Sequence, residues 1–215
     1  MKRRASVLSL TAAAAVTALL ATGCSTGAHP GAAAVVGGER ITVASVQAQV
    51  EAVRDAQRAQ PNGDELIAAS GSLTRDTVDF LVYYEVLERA AADAGVEVSR
   101  RDVQQARSDA EDTVGSPEAL AQVALLAQAG GLPLAGDEQL DRQFRGQVLF
   151  QRLAERIGAT GSPNGRQMIV DVLARTAEEI GVEVNPRYGE WSPEQVALIE
   201  ADQPWLTGTA DGTAA

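Results

Sequence analysis

The stretch LTRDTVDFLVYYEVLERAAADA, running from Leu73 to Ala94, decides the fold class. Within it Val78, Leu81, Val82, Tyr84, Val86 and Leu87 recur at helical spacing and give one broad apolar face. Gly95 is a natural stop for that helix. Val96-Glu97-Val98 then reads as a short extended link. Ser99 and Asp102 have capping-box spacing, with Asp where Glu is usual, and predict a new helix from Ser99 to about Thr113.

Working upstream, Val43, Val46, Val50 and Val53 fall at helical spacing, and Pro61-Asn62-Gly63 ends that segment. Before it, Ala34-Val35-Val36-Gly37-Gly38-Glu39-Arg40-Ile41-Thr42-Val43 is β-branched on both sides of a Gly-Gly pair. That pattern predicts a tight hairpin or a short strand with a turn. Working downstream, Ser116-Pro117 opens a helix that ends at Gly130-Gly131. Asp137 is the expected cap of the next, which carries Leu140, Phe144, Val148, Leu149, Phe150 and Leu153. Ser162-Pro163 opens a last helix with Met168, Ile169, Val172, Leu173 and Ile180, stopped by Gly181. Val182-Glu183-Val184 is a second extended link, and Asn185 to Trp191 is rich in turn residues. The tetrapeptide Gly-Val-Glu-Val occurs at 95–98 and again at 181–184, each time after a helix. Two short strands pairing near Val35 and Ile41 are the expected use of it.

The N-terminus carries a different message. Lys2, Arg3 and Arg4 precede an uncharged run from Ala5 to Ala21, and Ala21-Thr22-Gly23-Cys24 follows. A positive start, an apolar middle and small residues at the cut describe a secretory signal peptide. The apolar run is short for a membrane span, which needs about 20 residues. Cys24 directly after Gly23 resembles the lipobox of bacterial lipoproteins, although Ala21 stands where Leu is usual and Leu20 lies one residue back. The resemblance implies a diacylglycerol on the Cys24 thiol, and its two chains suffice for stable attachment. An ordinary cleaved signal with a chance cysteine is the plainer alternative. Residues 24–33 are small and polar and read as a flexible tether.

Composition closes off whole classes of function. Cys24 is the only cysteine, so an internal disulfide and a Cys-ligated metal site are excluded; His29, the only histidine, lies in a Gly/Ala/Pro stretch and reads as a linker residue, which argues against a His-centred triad. The net charge is −11, and the first 23 residues hold three bases and no acid, so the remainder is more acidic still. A chain like this is a poor nucleic-acid binder, and anionic lipid headgroups repel it. Aromatics make up 4% of residues, so Leu, Val and Ala build most of the core, which suits close-packed helices.

Three segments together resemble the N-terminal chaperone module of the SurA/PrsA family of extracytoplasmic foldases. They are Val35-Val36-Gly37-Gly38-Glu39-Arg40-Ile41-Thr42, the helix of residues 81–94 with Gly95-Val96-Glu97-Val98-Ser99, and Val184-Asn185-Pro186-Arg187-Tyr188-Gly189. The last looks like that family's returning strand, where the C-terminal segment rejoins the N-terminal one. Many relatives insert a parvulin-type prolyl isomerase domain of about a hundred residues; this chain has no room for it. The resemblance therefore implies a chaperone-like fold without the isomerase.

No P-loop, G-x-G-x-x-G, H-E-x-x-H or G-x-S-x-G pattern occurs, so neither catalysis nor a cofactor is expected. Phe80, Tyr83, Tyr84, Phe144 and Phe150 are the candidate client-binding residues, with core packing as their plainer reading. Tyr83 and Tyr84 point about 100° apart on a helix, so at most one is central to a core.

These readings combine into a set of expectations. The fold is mostly α with a small β element, the short strands coming from the N- and C-terminal segments. Residues 1–23 are a signal peptide, 24–33 a tether, 34–206 a helical chaperone domain and 207–215 a frayed tail. The function is a lipid-anchored holdase on the extracytoplasmic face of the cell membrane, with unfolded secreted polypeptides as partners. The alternative is a non-catalytic interaction lipoprotein serving a cell-envelope complex. A solute-binding lipoprotein is disfavoured, because the alternating strand–helix pattern of its two lobes is absent.

Overall fold

The computed structural model describes residues 30–127 and 131–200. Cys24, His29 and the tail from 207 lie outside the described residues.

The chain enters as β1 (Ala32–Val36) and returns as β2 (Glu39–Thr42). Gly37 and Gly38 join them with φ of 59° and 85°, and a two-residue turn with both φ positive matches the twist of the strands it connects. Pairing is antiparallel, Val35 facing Arg40 and Val36 facing Glu39. The strand starts earlier than the tether reading placed it. Ala32 and Ala33 are buried strand residues, because small side chains are what the crowded floor of the core admits there.

Seven helices follow among the described residues: α1 (Val43–Arg58), α2 (Gly63–Ala69), α3 (Leu73–Asp93), α4 (Arg100–Val114), α5 (Pro117–Leu126), α6 (Asp137–Arg156) and α7 (Gly165–Ile180). β3 (Val182–Val184) then pairs antiparallel with β1, Val35 facing Glu183, so the sheet order is β2-β1-β3. The C-terminal chain thus lies against the first strand of the domain. A second hairpin, β4 (Glu190–Ser192) with β5 (Ala197–Ile199), comes last.

α3 is the axis of the fold. It touches α1, α6, α7, β1 and β5. Val78, Val82, Val86, Leu87 and Ala91 on it are fully buried and meet Val36, Val46, Leu153 and Leu173 in one core. A small second cluster of Val53, Leu73 and Leu125 sits where α1, α3 and α5 meet.

Helix starts follow the capping signals in part. Ser99 and Asp102 form the reciprocal box: the Ser99 amide donates to the Asp102 carboxylate (2.8 Å), and the Asp102 amide donates to Ser99 Oγ. The Arg152 guanidinium also donates to that carboxylate and, with Ser99, holds it well below its ordinary value of 3.8. A depressed folded-state value stabilises the fold above the ordinary value, and that stability is lost as pH falls through the carboxylate range. Asp102→Asn is therefore expected to lower Tm at pH 7. The gap from the parent should narrow as thermal melts are taken at steadily lower pH.

Ser116 caps α5 as expected, accepting from the Ala119 amide (3.1 Å). Asp137 does not cap α6. Gly136 holds that position, and the Asp137 carboxylate accepts instead from Arg107 of α4 (2.7 Å). The last helix starts at Gly165 rather than at Ser162-Pro163, behind a turn in which Ser162 Oγ accepts from the Asn164 amide (3.3 Å). The short α2 carries no sequence signal of its own. Arg54 of α1 closes its C-terminal end by donating to the carbonyls of Ile67 (3.2 Å) and Ser70 (2.6 Å). Gln57, 1% exposed, joins that network through Ser70 Oγ.

The two Gly-Val-Glu-Val segments part company. Residues 182–184 form β3, while residues 96–98 pair with no strand. The reason lies on α6. Arg145 donates to the Val98 carbonyl (2.9 Å), Arg152 to Glu97 (2.6 Å) and Arg156 to Ala94 (2.9 Å). Arg145 and Arg152 satisfy two carbonyls of the segment that a neighbouring strand would otherwise take, and Arg156 satisfies that of the helix end before it.

Candidate functional site

Asp76, Asp79, Phe80 and Tyr83 stand at i, i+3, i+4 and i+7 on α3 and so share one face. The helix turns its opposite, aliphatic side to the core. These four residues, with Gly131, Leu132 and Val196, line a hollow of about 360 Å³ between α3, the segment before α6 and the C-terminal hairpin. Phe80 and Tyr83 are half-buried, each with part of its ring accessible. Burial pushes the Tyr83 phenol up from its ordinary value, so it is neutral and a hydrogen-bond donor across the physiological range.

The hairpin is fastened to this face through its main chain. The Leu198 amide donates to Asp79 Oδ1 (2.6 Å), and Arg75 Nη2 donates to the Leu198 carbonyl (2.9 Å). Burial raises the Asp79 carboxyl above its ordinary value, and the Leu198 N–H offsets part of that rise. Gly189 makes the close approach possible: a Cβ there would lie 2.4 Å from the Ile199 carbonyl oxygen, and its φ is +126°.

The five aromatic candidates do not form one patch. Tyr84 and Phe144 are buried, 7% and 8% exposed, and belong to the packed interior. The Tyr84 hydroxyl donates to Glu88 (3.1 Å), and burial followed by the Glu88 charge raises its value. Phe80 and Tyr84 lie in tilted contact, ring centroids 6.2 Å apart. Phe150 is 38% exposed on α6 and does not line the hollow. Phe80 and Tyr83 remain as the half-buried pair that lines the hollow. The sequence reading passed over Arg75 and Asp79; the signal available was an acid inside the apolar run Val78-Asp79-Phe80-Leu81-Val82. Trp191 is buried in the core, and its Nε1 has no hydrogen-bond partner among the described residues.

A second cleft, lined by Tyr84, Arg100, Gln104, Glu138, Asp141 and Arg145, is charged on both signs and lies between α3, α4 and α6. Among the described residues there is no group of three or more acids, His or Cys placed to hold a metal ion, and no helix is long and apolar enough to cross a membrane.

The returning strand paired with the first one and seven helices around α3 define the class: a small α-rich domain. Residues 1–113 match the family model described as SurA-like N-terminal domain, and the chain belongs to that family. No parvulin domain is detected in it. The match ends inside α4, so the arginines of α6, the returning β3 and the C-terminal hairpin lie beyond it. No curated protein and no solved structure matches the chain.

Proposed function

We propose that the protein is a membrane-anchored extracytoplasmic holdase that shields unfolded or newly secreted polypeptides and has no prolyl isomerase activity. The observation that carries this reading is the pair of half-buried rings, Phe80 and Tyr83, at a hollow on the central helix of a SurA-like domain. Aromatic faces at an open hollow hold apolar side chains with little demand on sequence. Asp76 and Asp79 at the same hollow give it an acidic character, which disfavours acidic segments and anionic lipid. Anchoring would come from a diacylglycerol on Cys24, with the domain held off the membrane by its tether.

The test is aggregation of a chemically unfolded model protein, followed by light scattering, with and without the chain from Ser25 onward. Suppression is expected at near-stoichiometric ratios. Tyr83→Ala is expected to reduce it severalfold with unchanged far-UV circular dichroism, and Phe150→Ala to leave it as it was. Absence of suppression at large excess overturns the reading and moves the assignment to a dedicated envelope partner. Anchoring is checked separately: metabolic labelling with palmitate should mark the chain and fail to mark Cys24→Ser.

A further inference from the structure

The C-terminal hairpin is held to α3 through its main chain as well as through the buried side chains of Trp191, Val196 and Leu198. One residue, Leu198, has both its main-chain groups engaged by α3: its N–H by Asp79 (2.6 Å) and its C=O by Arg75 (2.9 Å). Arg75 and Asp79 are one helical turn apart, so a guanidinium donor and a carboxylate acceptor stand at the separation of a single residue's C=O and N–H. Such a pair recognises extended backbone of any sequence. The side chains of Val196, in the turn before β5, and Leu198, on β5, are both buried, 7% and 8% exposed.

The docked hairpin also carries internal costs. Val196, a β-branched residue, holds φ at +51°, a conformation side chains of that shape rarely adopt. The Trp191 indole N–H is buried without a partner. Strain and an unmet donor both favour release, and hairpins held by few elements are the parts that open locally. The hollow that Phe80 and Tyr83 line is bounded on the hairpin side by Val196.

We propose that β4–β5 is a resident stand-in for client chain, and that the Arg75–Asp79 face binds extended apolar polypeptide by displacing it. This rests on the holdase reading and names the substrate class of that site. The occupant is an extended apolar segment because that is the chemistry of the β5 strand already seated there.

The experiment uses the full chain and a fluorescently labelled peptide, acetyl-Gln-Val-Ala-Leu-Ile-Glu-amide, copying residues 195–200. Binding is followed by fluorescence anisotropy, and exchange of the Leu198 amide by NMR. Saturating peptide is expected to speed exchange at Leu198 at least tenfold while α3 amides keep their protection. Gly189→Ala, whose added Cβ meets Ile199 O, opens the hairpin and should bind peptide at least tenfold more tightly; adding Asp79→Ala should abolish the gain. Peptide binding with Leu198 protection unchanged, or no binding at all, overturns the proposal, and the exchange measurement on the parent chain decides it even if Gly189→Ala fails to fold. Aggregation suppression with no peptide effect removes this site and leaves the holdase reading standing. Peptide displacement without suppression supports the site and removes the holdase reading.

Discussion

Leu153→Ala should lower stability by about 3 kcal/mol, the middle of the range for emptying a fully buried leucine. Leu153 is 0% exposed and lies in the main core with Val86, Leu87 and Leu173. The cavity would open where α6 meets α3, and neither helix can close it freely. α6 is tied to α4 through Arg107 to Asp137 (2.7 Å) and Asp141 (3.0 Å). It is tied to the α3–α4 link through Arg145, Arg152 and Arg156. For a domain of this size the loss corresponds to a fall in Tm of about 10 °C, measured by calorimetry or circular dichroism. Leu126→Ala on α5 is the comparison: Leu126 is 36% exposed, and its loss should shift Tm by a small fraction of that amount. Equal shifts for the two would mean that the core is not where the structure puts it.

Gly165→Ala should cost about as much for the opposite reason, overfilling instead of emptying. A Cβ on Gly165 would stand 2.1 Å from the carbonyl oxygen of Ala159 and 3.0 Å from its carbon. Both are backbone atoms, so no side chain can swing aside to relieve the clash. Ala159 is itself buried, 5% exposed, and cannot retreat. The start of α7 must move, and α7 runs directly into β3, which pairs with β1. The expected result is a loss of about 3 kcal/mol by urea unfolding, with faster exchange of the β1 amides. Gly71→Ala is the control. Its nearest contact would be 4.0 Å away, so little change is expected.

Much of the frame was legible because its causes are local. The apolar period of Leu73–Asp93, the Ser99–Asp102 box, the Ser116-Pro117 start and the Gly37-Gly38 turn each depend on residues close together in sequence. The pairing of Val182–Val184 with β1 was read from the repeated Gly-Val-Glu-Val segment and is observed, whereas the returning strand that the family likeness placed at Val184–Gly189 turns at residues 186–188. Failures cluster where a distant group intervenes. Asp137 was read as a cap because Asp commonly is one; Arg107, thirty residues earlier, takes its carboxylate. α2 is too short to announce itself, and its end is completed by Arg54 from another helix. The aromatic candidates were grouped by residue type, yet the helix axis decides exposure: Tyr84 faces the core and Tyr83, next to it, faces the hollow.

The sequence by itself determined that this is a mostly helical, acidic chain whose described helices alternate with short extended links, since periodicity, capping and turn chemistry act within a few residues. It determined equally that no histidine or cysteine beyond residue 29 is available for chemistry. Only the tertiary structure decided which of two identical Gly-Val-Glu-Val segments becomes a strand. The segments carry the same four residues, but one lies beside the open edge of β1 and the other beneath three arginines of α6. Only the tertiary structure, too, put Arg75 and Asp79 on either side of Leu198. Main-chain groups look alike along the whole sequence, and which of them a side chain meets is settled by how the elements pack.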